Sequence, residues 1–149
     1  MTSLYNRYEF KGRLKQRLVH ANRQNETGAL FFLDIDNFKL INDTLGHIAG
    51  DILLKKIGQR LKSNLRDDDL LARLGGDEFS IFATVDDSQT IDPLANKILM
   101  LVNEPFELDK GREVTATTSL GICLYRSDTQ DPDELLASAD PPLSSAQHY

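Results

Sequence analysis

Three acidic residues carry the clearest chemistry in this sequence. Asp77 and Glu78 stand side by side in Arg73-Leu74-Gly75-Gly76-Asp77-Glu78-Phe79, and Asp34 closes the apolar run 29–33. Leu70, Leu71 and Leu74 precede the first stretch, and Phe79, Ile81 and Phe82 come after it. Paired glycines accept the positive φ of a tight turn, so the stretch reads as a β-hairpin turning at Gly75-Gly76. Neighbouring carboxylates at the mouth of that turn repel each other, a repulsion relieved by a cation or by open water. The plain alternative is a solvated hairpin tip. Asp34 sits where a strand covered on both faces emerges from the core, and an ionised carboxylate there is costly unless paired or bound to a metal. Asp36 or Asn37 suits the cap of a helix starting at Phe38, and capping is assigned to Asp36.

If these strands are neighbours, three carboxylates converge. That donor set suits a hard divalent cation such as Mg²⁺, which takes carboxylates together with substrate phosphates. Metal-assisted phosphoryl or nucleotidyl transfer is the matching reaction class. No pattern supports a Ser–His–Asp or Cys–His nucleophile, and His20, His47 and His148 are scattered.

The surrounding elements are set by periodicity. Residues 6–25 form an amphipathic helix with Asn6 as N-cap and Phe10, Leu14 and Leu18 on one face. A short helix runs from Phe38 to Leu45 and stops at Gly46. Asp51 opens a longer helix to about Leu65, its dipole-favoured acidic start. Arg66-Asp67-Asp68-Asp69 is the turn into the hairpin. A helix over 88–103 is capped by Ser88, residues 113–125 form one strand, and Asp131-Pro132-Asp133-Glu134 starts a further helix. Helices between strands around a central hairpin predict an α/β (α+β) sandwich, a mixed, largely antiparallel sheet covered by helices.

The 149 residues fit a single domain, 1–149, with a real core. The net charge of −6 favours no nucleic-acid partner. Cys123 is the only cysteine, which excludes an internal disulfide and suggests a reducing, cytoplasmic compartment. No apolar run is long enough for a transmembrane helix. The opening Leu4-Tyr5-Asn6-Arg7 suits a domain cut from a longer protein.

Gly75-Gly76-Asp77-Glu78-Phe79 resembles the signature of GGDEF domains, the diguanylate cyclases. Leu4-Tyr5-Asn6-Arg7-Tyr8-Glu9-Phe10 is similar to the family's opening L-x-N-R-x-x-F. Asp34-Ile35-Asp36-Asn37-Phe38-Lys39-Leu40-Ile41-Asn42-Asp43 is similar to its D-x-D-x-F-K-x-x-N-D. Gly46-His47, Gly50-Asp51, Ser119-Leu120-Gly121-Ile122 and Ala139-Asp140 continue the likeness over nearly the whole chain. Glu104-Pro105-Phe106-Glu107-Leu108 resembles GGDEF domains fused to an EAL phosphodiesterase domain.

The resemblance implies a palm-like nucleotide-cyclase fold and a homodimer condensing two GTP into cyclic di-GMP and pyrophosphate. It implies Mg²⁺ or Mn²⁺ held by Asp34, the Ile35 carbonyl and Asp77, with Glu78 a further ligand or the base for the attacking hydroxyl. Phe38 and Lys39 would open a helix toward the phosphates, and Gly75 and Gly76 would let the backbone approach the nucleotide. Asn42 and Asp51 would read the guanine edge. Arg66 and Asp69, as R-x-x-D, would form a product-inhibition site for cyclic di-GMP. A fused EAL or sensory domain is the implied partner.

The end departs from the family pattern. A-L-Y-x-A-K and G-R-N are expected after Ala139-Asp140, but Pro141-Pro142 should end the helix near Ala139. Gln147 stands where the phosphate-contacting Lys is expected, and the Arg position is absent. This sets a second reading beside the enzyme: a module that binds GTP or cyclic di-GMP and regulates a fused partner.

Overall fold

Nine residues from Thr27 to Ile35 form the strand on which the rest is hung. The computed structural model describes residues 4–23, 26–85, 91–109, 111–126 and 147–148. In chain order the elements are α1 (Arg7–Arg23), β1 (Thr27–Ile35), α2 (Phe38–Leu45), α3 (His47–Asn64), β2 (Leu70–Gly75), β3 (Glu78–Val85), α4 (Ile91–Asn103), β4 (Phe106–Glu107), β5 (Glu113–Val114), β6 (Thr118–Arg126) and β7 (Gln147–His148). The main sheet has the order β2-β3-β1-β6-β7, and β4-β5 form a separate two-stranded ladder. Every pairing of these strands is antiparallel. The parallel component is one bridge, Tyr5 to Ala72, at the β2 edge.

β1 is central because its side chains are apolar on both faces. Ala29, Phe31, Leu33 and Ile35 pack toward α3 and α4, with Leu53, Ile57, Leu61, Ala95, Ile98 and Val102. Leu30 and Phe32 face α1, packing with Phe10, Leu14, Leu18, Phe82 and Tyr125. The sheet is thus a middle layer between α1 and the α3–α4 pair. α1 starts as its sequence dictates: the Glu9 N–H donates to Asn6 Oδ1 at 2.8 Å and the Asn6 N–H donates to Glu9 Oε1 at 3.1 Å. This reciprocal box satisfies two N–H groups that a helix start leaves open.

Four local expectations are corrected. Asp36 does not cap α2: Asn37 occupies the cap position in the left-handed region (φ 55) without a side-chain cap bond, and the Asp36 carboxylate accepts from Thr117 and Ser119. α3 begins at His47 rather than Asp51, because Gly46 at φ 94 ends α2 and starts α3 within one residue. The hairpin turns on Gly76-Asp77: Gly76 has φ 46, whereas Gly75 pairs with Glu78 across an irregularity between Arg73 and Gly75. Residues 113–125 are two strands, since β5 pairs with β4 and β6 with β1. The inward alternation of Ala116, Thr118, Leu120 and Ile122 survives that break, so alternation alone does not reveal the change of partner. Ser88, Asp131-Pro132-Asp133-Glu134 and Ala139-Asp140-Pro141-Pro142 lie outside the described residues.

Leu14 is fully buried between α1 and the sheet. Leu14→Ala is expected to lower stability by about 2–5 kcal/mol, because it removes apolar contacts and leaves a cavity. Denaturant unfolding checks this; a loss under about 1 kcal/mol would show that α1 is not part of the cooperative core.

Candidate active site

β1 delivers Asp34 to the surface between two ladders: its register partner is Glu78 in β3 and Ser119 in β6. Asp34 is the one exposed residue in a strand otherwise buried or half-buried. The next residue is tied to the hairpin turn, the Ile35 N–H donating to the Asp77 carbonyl at 3.2 Å. This seats Asp77 at the end of β1, close enough for its carboxyl to act on Asp34. Desolvation is the largest influence on Asp34, followed by the negative charges of Asp77 and Glu78. Together they push its pKa up from 3.8 to about 6.

Among the described residues no three His, Cys, Asp or Glu side chains form a ready-made metal cage. Asp77 and Glu78 both act on Asp34 through their negative charge. That donor set fits Mg²⁺, which is usually held by one or two carboxylates plus substrate phosphates. Neighbouring carboxylates repel when both are ionised, and a divalent cation relieves that repulsion.

The other candidate groups lie on α2, α3 and the hairpin turn. The first intrahelical bond of α2 runs from the Ile41 N–H to the Asn37 carbonyl at 3.1 Å. The N–H groups of Phe38, Lys39 and Leu40 come before it and have no helical acceptor. Such a helix start attracts anions. Lys39 is exposed beside them, and Phe38 is half-buried against the core. At the seam of α2 and α3, Asn42 Oδ1 is buried without a hydrogen-bond partner. It lies against Gly50, where a Cβ would come within 1.8 Å of that oxygen and 3.2 Å of the Phe38 ring. Glycine is therefore required there, and the Asn42 amide keeps an unmet hydrogen-bonding demand. Asp51 comes next, on the exposed side of α3 and beyond its first turn, where the helix dipole no longer accounts for it. Space is open above Gly75 and Gly76, with no atom within 4 Å of a Cβ built at either.

Arg66 and Asp69 lie at the other end of the sheet. Asp69 is 5 % exposed; its Oδ2 accepts from the Arg66 N–H at 2.9 Å, and its own N–H donates to the Arg66 carbonyl at 3.0 Å. Arg66 Nη2 donates to the Thr84 carbonyl at 2.7 Å and to Asp69 Oδ1 at 3.3 Å. The pair thus closes a turn and clips it to β3, while the Arg66 side chain stays 62 % exposed. A cleft of about 240 Å³ adjoins it, lined also by Asn64, Leu94 and Lys97. Thr84 pairs with Gly28 and Glu78 with Asp34. Six residues of strand separate the two sites, about 20 Å.

Several residues that shape these sites carry little signal in the sequence. Arg73 has the pattern of a strand residue, yet its Nε donates to the Gly76 carbonyl at 2.9 Å and fixes the turn. Lys97 has the pattern of helix surface, and only the fold brings it to the Arg66 cleft. Thr117, Thr118 and Ser119 are absorbed into strand alternation; three hydroxyls in a row are the available signal. Gln147 lies in β7 opposite Ile122, three residues along β6 from Ser119.

The family model for "Diguanylate cyclase, GGDEF domain" matches residues 1–149. The diguanylate cyclase TpbB of Pseudomonas aeruginosa is 42 % identical over 94 % of this chain, which spans 32 % of that protein. The bifunctional diguanylate cyclase/cyclic di-GMP phosphodiesterase MucR, from the same organism, is 36 % identical over 99 % of the chain and 21 % of its own length. The crystal structure of the GGDEF domain of TpbB superposes with a TM-score of 0.84, at 42 % identity over 94 % of this chain and 88 % of that one. The chain belongs to the GGDEF domain family. It spans about a third or less of these two curated relatives. No helix among the described residues is long and apolar enough to cross a membrane.

The Asp34 shift has a measurable consequence in cation-free buffer. Because its pKa is raised in the folded chain, its contribution to stability is full below about 3.8 and is lost as pH rises through about 6. Asp34→Asn removes that loss. Thermal melts with a chelator should show the variant above the parent at pH 7, with the gap closing toward pH 4. Parallel curves for the two proteins across that window would disprove the repulsion.

Proposed function

We propose that this chain is the catalytic module of a Mg²⁺-dependent diguanylate cyclase, with Mn²⁺ able to substitute, that condenses two GTP into cyclic di-GMP and pyrophosphate. The observation that carries the reading is the placing of Asp34 and Asp77 together at the end of β1, three residues before the open N-terminus of α2. Family membership supplies the reaction class.

Asp34, Asp77 and the Ile35 carbonyl would hold the cation, with Glu78 a further ligand or the base that takes the hydroxyl proton. When bound, the cation neutralises phosphate charge and activates the attacking oxygen. The N–H groups of Phe38 and Lys39 cradle phosphate oxygens. Asp51 accepts from the guanine N–H groups and Asn42 completes the base edge, which favours guanine over adenine. Gly75 and Gly76 leave room for the nucleotide at the turn. The 3′-hydroxyl of each GTP attacks the α-phosphate of the other; an O3′–P bond forms, the bond from the α-phosphorus to the bridging oxygen breaks, and pyrophosphate leaves. Each chain would hold one of the two reacting GTP molecules, so the reaction takes two chains face to face. A module consuming GTP works in the cytoplasm, whether or not its parent protein is membrane-attached.

The second reading, a nucleotide-binding module regulating a fused EAL or sensory domain, draws on Gln147. Its position in β7 supplies no cation where the resemblance expects Lys. Incubation with GTP and Mg²⁺, with chromatographic detection of cyclic di-GMP, separates the two. Turnover is expected in the parent; Asp77→Asn should lose it and bind Mg²⁺ more weakly while keeping the fold intact. GTP binding without turnover selects the regulatory reading, and unchanged Mg²⁺ affinity in Asp77→Asn removes Asp77 from the metal site.

We also infer that the Arg66–Asp69 cleft binds cyclic di-GMP as an inhibitor. The exposed guanidinium beside a buried carboxylate supports it, since Arg forks onto phosphate or a guanine edge. Arg66→Ala should weaken cyclic di-GMP binding about tenfold or more in calorimetric titration. Full affinity in that variant would leave the pair as a turn-closing clip.

A further inference from the structure

β1 does not simply run out into α2. Beyond its last ladder pair, its end is tied to the start of β6 by side chains. Asp36 Oδ2 accepts from Thr117 Oγ1 at 2.8 Å, and Asp36 Oδ1 accepts from Ser119 Oγ at 2.6 Å. The Asp36 N–H donates to the Thr117 carbonyl at 2.9 Å, and Thr118 Oγ1 donates to the Asp34 carbonyl at 3.0 Å. Three consecutive hydroxyls thus grip residues 34 and 36. Hydroxyl-to-carboxylate hydrogen bonds are among the strong ones, and 2.6 Å is a length typical of them.

The grip matters because of the residue after Asp36. Asn37 is the one described non-glycine residue with positive φ. Asn tolerates that region better than most residues, yet it stays there only where its surroundings fix it. Through Ile35, Asp36 and Asn37 the chain passes from Asp34 to the α2 N-terminus, and Asn37 makes the bend. A nucleoside triphosphate carrying a divalent cation must touch both at once. The relative placement of strand end and helix start therefore sets the fit of the ligand, and Asp36 is the anchor on the strand side of the bend.

We propose that Asp36 is a positioning residue: clamped by Thr117 and Ser119, it fixes the angle between the end of β1 and α2, and with it the spacing between the Asp34–Asp77 pair and the N–H groups of Phe38, Lys39 and Leu40. This rests on the nucleotide-and-cation reading above. Both Asp36 oxygens are directed to hydroxyls of the β6 side, so Asp36 acts through other residues and is not itself a cation ligand. The hydroxyls are therefore as necessary as the carboxylate. Guanine, held at the α2–α3 seam by Asn42 and Asp51, does not depend on the clamp.

The test uses the full chain and three ligands: Mn²⁺, a non-hydrolysable GTP analogue and guanosine. Thr117→Val with Ser119→Ala removes both hydroxyls. That variant and Asp36→Ala are each expected to bind Mn²⁺ and the analogue about 10–100-fold more weakly, the range for partners that orient metal ligands, and to keep the parent's affinity for guanosine. Thr117→Ser with Ser119→Thr keeps the clamp and should bind as the parent does. If the double deletion does not fold, Ser119→Ala alone should show the same split at smaller magnitude. A hydroxyl-free variant that binds the analogue normally overturns the proposal. So does a loss confined to Asp36→Ala, which would make Asp36 a direct ligand. Equal weakening of guanosine and analogue would mean a general structural role and also overturns it. A parent that binds neither Mn²⁺ nor the analogue removes the nucleotide reading itself, and the positioning role with it.

Discussion

The rest of the structure depends on a carboxylate carried to the surface by a strand that cannot move. β1 is paired along its length to β3 on one side and β6 on the other, and its apolar side chains are buried on both faces. Asp34 is therefore fixed by two ladders at once. The Ile35–Asp77 bond and the β1–β3 register hold the backbones of Asp34 and Asp77 together. The repulsion is resolved by sharing a proton or by acquiring a cation. A flexible loop bearing the same acids would let them separate into water. The rigid strand makes their juxtaposition chemically useful.

The same ladder connects the two candidate sites. From the Thr27–Val85 pair to the Asp34–Glu78 pair the β1–β3 register runs without a shift, and Arg66 is clipped to the Thr84 carbonyl near its far end. A continuous antiparallel pair buried on both faces is stiff along its length. If the Arg66 cleft takes cyclic di-GMP, pulling on Thr84 would distort Asp34 very little. Inhibition then has to come from holding whole domains or subunits apart. The irregularity between Arg73 and Gly75 lies in β2, on the hairpin's outer strand, and is the one softer route toward the turn.

The features legible in the sequence are those that a single element decides. Phe10, Leu14 and Leu18 announce α1, Asn6 announces its start, and the unbroken run before Asp34 announces a doubly covered strand. The acids themselves are visible because no core position explains them. Features decided by contacts between distant segments are not legible. Asp36 has the look of a cap because Asp before a helix usually is one; Thr117 and Ser119, far away in sequence, compete for its oxygens. Asp51 has the look of a helix start because the tight reversal at Gly46 leaves too little sequence to mark where α3 begins. The strand break after Val114 is hidden because the inward alternation carries on into β6 while the pairing partner changes.

Charge sets the last constraint. The chain carries −6 overall, and its candidate site gathers Asp34, Asp77 and Glu78 where a triphosphate would have to come. An anionic ligand is repelled there unless positive charge is supplied locally. The described residues offer the dipole end of α2, the exposed Lys39, and the Arg73 guanidinium held at the turn by the Gly76 carbonyl. Gln147, in a strand at the sheet edge, adds none. A helix end and two surface cations contribute modestly in solvent. Under the proposed reading, a divalent cation would carry most of the neutralisation, and the acids that would hold it would repel the phosphates in its absence. GTP and the cation would then bind as one ligand rather than one after the other, and cation affinity and nucleotide affinity would both report on Asp34 and Asp77.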